Sequence, residues 1–187
     1  MTIDEIFSKL GEHMIEGLMV HSQLSDYFGF LGLDGYQLCH KYHYFEENNN
    51  YKKLGNYYLH HYNKIIMEQP FKNPAVIPEN WYQFTRQDVV IATRKAAIQK
   101  AFEKWIEWET DTKNLYEMLY QELISLNAIS AALEVSKYIK DVDDELSEAC
   151  QKHLELNAID YDISDIIQEQ NEYKKKYKKK LKEIEYD

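Results

Sequence analysis

Two glutamates and three asparagines interrupt the ring-rich stretch YHYFEENNNYKKLGNYYLHHY at residues 42–62. On a helix, Glu47 and Asn50 share a stripe with Tyr36, His40, His43, Leu54, Tyr57 and His61, whereas Glu46, Asn48, Lys52 and Lys53 fall on other faces. Polar groups recur inside other apolar stripes. His21 lies in the series Ile3, Phe7, Leu10, Met14, Gly17, Leu24, Phe28, Leu31; Glu122 lies among Trp108, Thr112, Leu115, Leu119, Leu126, Ile129 and Leu133; His153 and Asp160 lie among Leu146, Ala149, Leu156, Ile163 and Ile167. A carboxylate buried in an apolar bundle costs on the order of several kcal/mol unless a cation or hydrogen bonds compensate it. Oxygen donors mixed with imidazole suit iron, manganese or zinc better than a thiolate-loving ion. The expected metal ligands are therefore Glu47, Glu122, Asp160 and His21. Asn50, His43, His153 and Asn157 stand close by as weaker candidates, with Asn50 better suited to hydrogen-bond Glu47 than to bind metal.

The elements that must position these groups read as helices. The chain has six glycines and three prolines, and Pro70, Pro74 and Pro78 all fall in one segment, with neither residue type after Pro78. Sheets need turn residues every few positions, so the second half is expected to be long helices. Thr2 and Glu5 form a capping-box pattern for a first helix over about 3–32, and GLDG folds the chain back into a second over about 35–67, with Asp34 as its cap. A proline loop and an inserted helix follow over about 70–109, the helix starting near Thr85 and Asp88. The patch ETDT at 109–112 is expected to break the chain there, because one continuous rod of about fifty residues at ~1.5 Å each would overshoot its partners. Third and fourth bundle helices are then expected over about 111–139 and 144–175, with a turn near KDVDD. Counted from that turn, Glu122 and Asp160 each lie about seventeen residues away and face one another.

Composition narrows the function. A formal charge of −10 disfavours a nucleic-acid partner. From Gln168 onward seven lysines meet five acids, which reads as a solvated helix end with Lys–Glu pairs, or as a contact for an anionic partner. Cys39 and Cys150 form no CxxC pair, no apolar run reaches membrane-spanning length, and a cytoplasmic protein with no membrane partner is expected.

GYQLCHKYHYFEENNNYKKLGNYY resembles the second helix of the ferritin-like superfamily of four-helix bundles, which includes ferritins and rubrerythrin-type proteins, and WETDTKNLYEMLYQELISL resembles its third. The resemblance implies an all-α antiparallel four-helix bundle as a single domain; the segment from about Pro78 to Glu107 has no equivalent in the family and reads as an extra helix before the third bundle helix, and the C-terminal helix is extended. It further implies two bound iron ions, oxidation of ferrous iron by oxygen or peroxide, and assembly into homo-oligomers such as dimers. By position, Glu47 resembles the carboxylate of the family's second helix and Glu122 that of the third. Asn50 stands where the family has a histidine, and Met14 where the first helix supplies a glutamate. Two functions are open at this point: a non-haem metal centre, or a metal-free scaffold whose polar layer is closed by its own hydrogen bonds.

Overall fold

The computed structural model describes residues 1–66 and 91–184, with the side chains of Ile91 and Ala92 outside that description. The proline loop and the helix start at Thr85 and Asp88 lie outside the described residues. Among the described residues five helices follow one another: α1 (Ile3–Phe30), α2 (Asp34–Tyr62), α3 (Ile91–Ser125), α4 (Ile129–Ala158) and α5 (Ile163–Ile184). Among the described residues there is no strand, and no helix is long and apolar enough to cross a membrane.

The capping box at the start of α1 forms as the sequence anticipates: Glu5 N donates to Thr2 Oγ1 at 3.2 Å and Thr2 N to Glu5 Oε2 at 2.7 Å. Gly32 ends the helix in the left-handed region, φ 80°, and Leu33 N returns to Phe28 O at 2.9 Å. The cap of α2 is Leu33 rather than Asp34. Asp34 instead opens the first turn, where its charge suits the helix N-terminus, and it holds Lys174 of α5 at 2.7 Å.

The larger departures come after α2. The ETDT patch does not break α3, because its hydroxyls bond back into the helix: Thr110 Oγ1 to Ile106 O at 2.7 Å and Thr112 Oγ1 to Trp108 O at 2.9 Å. The inserted helix and the third bundle helix are therefore one rod. KDVDD does not turn either, since Val142 is buried mid-helix in α4. The turns from α3 to α4 and from α4 to α5 are made without glycine. Asn127 takes φ 58° between α3 and α4, and Asp160 and Tyr161 each take φ 50° between α4 and α5. Asn and Asp tolerate this conformation better than other L-residues because their short side chains bond locally.

Helices α1 and α2 form one antiparallel hairpin, α3 and α4 a second, and α1 packs antiparallel on α3. Helix α5 runs parallel to α2, with Gly35 against Gln170, Tyr36 against Tyr173 and Tyr42 against Tyr177. The Gly35 amide donates to Gln170 Oε1 at 3.0 Å, and a Cβ at this position would collide with the Gln170 carbonyl oxygen, so the close approach requires glycine. Lysines that the sequence offered to an outside anion are partly taken up here. Lys174 pairs with Asp34 and Lys176 with Glu148, and both tie α5 to the bundle.

Two apolar clusters fill the interior. One gathers Val20, Leu24, Phe28, Tyr36, Phe102, Trp105, Tyr173 and Tyr177; the other gathers Phe7, Leu10, Met14, Leu54, Tyr116, Leu119, Leu123 and Val135. Between them, at the waist of the bundle, lies a layer of buried polar side chains: His21, His40, His43, Glu47, Glu109 and Thr112.

Candidate metal centre

Each side chain of the waist is delivered by a heptad stripe. In α3 the stripe runs Ile98, Phe102, Trp105, Glu109, Thr112, Tyr116, Leu119, Leu123, and in α4 it runs Val135, Tyr138, Val142, Glu145, Ala149, Lys152, Leu156. Glu109 lies eighteen residues before Asn127 and Glu145 eighteen after it, so the reversal at Asn127 brings them level. The same symmetry about Gly32 pairs Gly17 with Glu47. A Cβ on Gly17 would meet the Glu47 carboxyl group at 3.3–3.4 Å, so the glycine makes room for that carboxyl.

His21, from α1, is fully buried. Its Nε2 lies 3.6 Å from Glu109 Oε1, and its Nδ1 lies 3.2 Å from His40 Nδ1. Trp105 Nε1 donates to the same Glu109 oxygen at 3.1 Å. On the α4 side, His43 Nδ1 lies 3.0 Å from Glu145 Oε2 and 3.2 Å from Glu46 Oε2. Ligand atoms of His21, Glu109 and Glu145 all fall within 4.8 Å of one another, as do those of His43, Glu46 and Glu145. Glu145 thus belongs to both groups.

The electrostatics of this layer are those of acids short of positive charge. Burial, and then the charge of Glu145, push Glu47 and Glu109 well above the ordinary carboxyl range. Burial holds His21 and His40 well below the usual imidazole value. For His43, burial also works against the cation, but Glu145 and Cys39 overcome it and raise the group well above its usual value. Four buried atoms of the layer, His21 Nε2, His40 Nε2, His43 Nε2 and Glu47 Oε2, have no hydrogen-bond partner among the described residues, and Glu145 Oε2 has the His43 contact alone. Buried polar atoms are rarely left so.

A divalent ion fits this donor set. Two ligands each ~2.1 Å from one ion sit ~3–4.2 Å apart, depending on the angle between them. The 3.6 Å separation of His21 Nε2 and Glu109 Oε1 is long for a hydrogen bond but falls inside that range.

The structure brings together some of the expected ligands and separates others. His21, Glu47 and His43 lie in the layer. Glu122 does not: it sits in the last turn of α3, with a 39% exposed side chain, and binds the Met1 amino group at 3.2 Å. Thirteen residues separate it from Glu109, about 20 Å along the helix. Asp160 occupies the α4–α5 turn, 99% exposed, against Lys95. His153 accepts from or donates to Tyr161 Oη at 2.6 Å near the end of α4, Asn157 is exposed there, and Asn50 is half-buried on α2. The physical reason is the position of the turn. With the reversal at Asn127 instead of near KDVDD, Glu122 stands beside the loop and Glu109 and Glu145 take the level assigned to Glu122 and Asp160. The missed residues carried a signal, because the heptads through Glu109 and Glu145 run unbroken across both supposed turns.

No protein-family model matches the sequence, and no curated protein matches it. Solved structures do match. A humanised archaeal ferritin superimposes with a TM-score of 0.75 at 16% identity, covering 91% of this chain and 94% of its own. A form of Archaeoglobus fulgidus ferritin closed by site-directed mutagenesis gives 0.75 at 15%, covering 93% and 96%. The open-pore ferritin of the same hyperthermophilic archaeon gives 0.74 at 16%, covering 91% and 94%. Together with the two antiparallel hairpins, these superpositions establish that the chain has the ferritin-like all-α fold.

Proposed function

We propose that this bundle binds a divalent metal ion at its waist through His21, Glu109 and Glu145, with Glu47 and His43 completing the donor set, and that its cargo is iron. The observation that supports this reading is that buried atoms without hydrogen-bond partners, His21 Nε2 on α1 and His43 Nε2 and Glu47 Oε2 on α2, lie at the level where Glu109 and Glu145 come in from α3 and α4. A polar network closed by its own hydrogen bonds would leave few of them. Iron is the ion to test first because the donors are carboxylate and imidazole, and because the structures of the same fold are ferritins. Glu145 also belongs to the group with His43 and Glu46, which gives it the means to bridge a second ion.

The chain's own groups would act as follows. Glu47 and Glu109 hold protons in the metal-free layer and release them as the cation enters, so binding exchanges buried protons for buried metal charge. Trp105 fixes one Glu109 oxygen by its indole N–H. Bound iron supplies the one-electron redox chemistry needed if the site oxidises ferrous ion with oxygen or peroxide. The apolar clusters above and below the layer limit the access of water.

A second reading, a metal-free scaffold, is favoured by two observations. Met14 stands where the family's first helix supplies a glutamate, and Asn50 takes the position of the family's histidine. Ferrous titration under argon followed by elemental analysis separates the two. Stoichiometric iron removable by chelator is the expected result, and a metal-to-protein ratio near zero would leave the scaffold. Self-association into a homo-oligomer is expected in either case and is read by light scattering. Both cysteines are free, which suits a reducing, cytoplasmic setting.

A further inference from the structure

We propose that His40 is a positioning residue for this centre: it holds His21 in the tautomer that turns a bare Nε2 lone pair toward Glu109 and Glu145. The inference rests on the metal-binding reading above. His21 Nδ1 and His40 Nδ1 are 3.2 Å apart, and both rings are fully buried. Two ring nitrogens at that separation share a single hydrogen, so one ring donates and the other accepts. The two directions have opposite consequences. If His40 donates, the hydrogen of His21 sits on Nε2, and that nitrogen cannot bind a cation. If His21 donates, its Nε2 is unprotonated beside the two carboxyl groups, and the hydrogen of His40 sits on its own Nε2.

The surroundings select the second arrangement. The His40 ring stacks on Phe28, with centroids 5.2 Å apart and planes 6° apart, and meets Trp105 edge to face at 4.6 Å. Neither His40 Nε2 nor His21 Nε2 has a hydrogen-bond partner among the described residues. An N–H tolerates an aromatic box, because π faces accept weakly, whereas a lone pair there finds no donor. At His21 the reverse holds. Its Nε2 is 3.6 Å from Glu109 Oε1, too far for a hydrogen on it to be well bonded, yet at the separation of two atoms ligating one ion. A ligating histidine usually donates its other ring N–H to a fixed acceptor, and that acceptor sets both tautomer and ring orientation. Here the acceptor is a second histidine, itself locked by two aromatic rings.

The test starts on metal-free protein. Long-range proton–nitrogen spectra of histidine-labelled wild type are expected to show His21 protonated at Nδ1 and His40 at Nε2. Finding His21 protonated at Nε2 overturns the proposal without any variant. Cobalt(II) then serves as the probe, read by its visible spectrum. His40→Phe keeps the ring between Phe28 and Trp105 but removes the acceptor, and should weaken cobalt(II) binding by ~10–100-fold and scramble the His21 tautomer. His40→Asn keeps an acceptor atom at the Nδ1 position and should restore most of the affinity. Wild-type affinity in His40→Phe, with an unchanged His21 tautomer, overturns the proposal. If the wild type takes up no cobalt(II), the metal reading fails, and the metal-free spectra still decide the pairing separately.

Discussion

At the residue scale, the centre depends on carboxyl groups that are costly to bury, and the cost makes them testable. Glu109→Gln keeps the shape and the Trp105 contact but removes the charge a cation needs. We expect the metal-free variant to be as stable as wild type or more so, because a buried acid is replaced by a neutral amide. Its thermal stabilisation by ferrous ion should disappear; for wild type that gain is about 2.7 kcal/mol with free ion at ~100 times the dissociation constant. Glu122→Ala is the contrasting case. It removes an exposed pair with the Met1 amino group and should cost ~0.2–1 kcal/mol with no change in metal affinity. Metal titrations and melts of the two variants together distinguish the waist from the α3 end.

His13 is a second residue with a measurable consequence. It stacks on Trp108 at 4.5 Å, shares a hydrogen with Thr112 Oγ1 at 2.8 Å, and burial lowers its pKa from 6.5 to about 4. The folded state refuses a proton that the unfolded chain accepts between those values, so stability is complete above about pH 6.5 and falls as pH drops toward 4. The part due to His13 is ~3 kcal/mol at the acid end. Urea denaturation of His13→Phe between pH 8 and 4 should show a shallower loss than wild type. Equal slopes would remove His13 from the account.

At the element scale, composition announced long helices in the second half of the chain, whereas the boundaries between α3, α4 and α5 did not follow from it. Asn127 reverses the chain between α3 and α4 with φ 58°, a conformation that glycine adopts without strain and alanine does not. Asn127→Gly should leave stability within ~0.5 kcal/mol of wild type or raise it, and Asn127→Ala should cost ~1 kcal/mol, both read from denaturant midpoints. The docking of α5 turns on Gly35. Because an added methyl would meet backbone rather than a mobile side chain, Gly35→Ala should cost ~1–3 kcal/mol and loosen the Tyr36–Tyr173 contact, seen as faster amide exchange confined to α5. Exchange that rose equally in all five helices would contradict this local role.

For the whole molecule, the bundle is two apolar clusters joined through a polar waist, and the waist is where a cation would add stability. Chelator treatment of iron-loaded protein should therefore lower its melting temperature while leaving the helical circular dichroism intact, because both clusters are built without metal. Collapse of the helical signal on chelation would show the ion to be structural. The lysine-rich α5 belongs to this scale too. Its Lys174 and Lys176 pair with Asp34 and Glu148, so the positive charge near the C-terminal end of an acidic chain works first as an internal clamp.

The sequence by itself determined the all-helical class, the first hairpin and the placement of His21, Glu47 and His43 on inward stripes. Periodic apolar spacing is a local property, and Thr2, Glu5 and Gly32 mark their helix ends by chemistry that few other arrangements satisfy. Tertiary structure alone decided where α3 gives way to α4. Asn127 resembles any other asparagine in sequence, ETDT resembles a cap, and only packing selects which polar group leaves the helix and which is buried in it. Since every level in an antiparallel pair is counted from its turn, that single choice exchanged Glu122 and Asp160 for Glu109 and Glu145 at the waist.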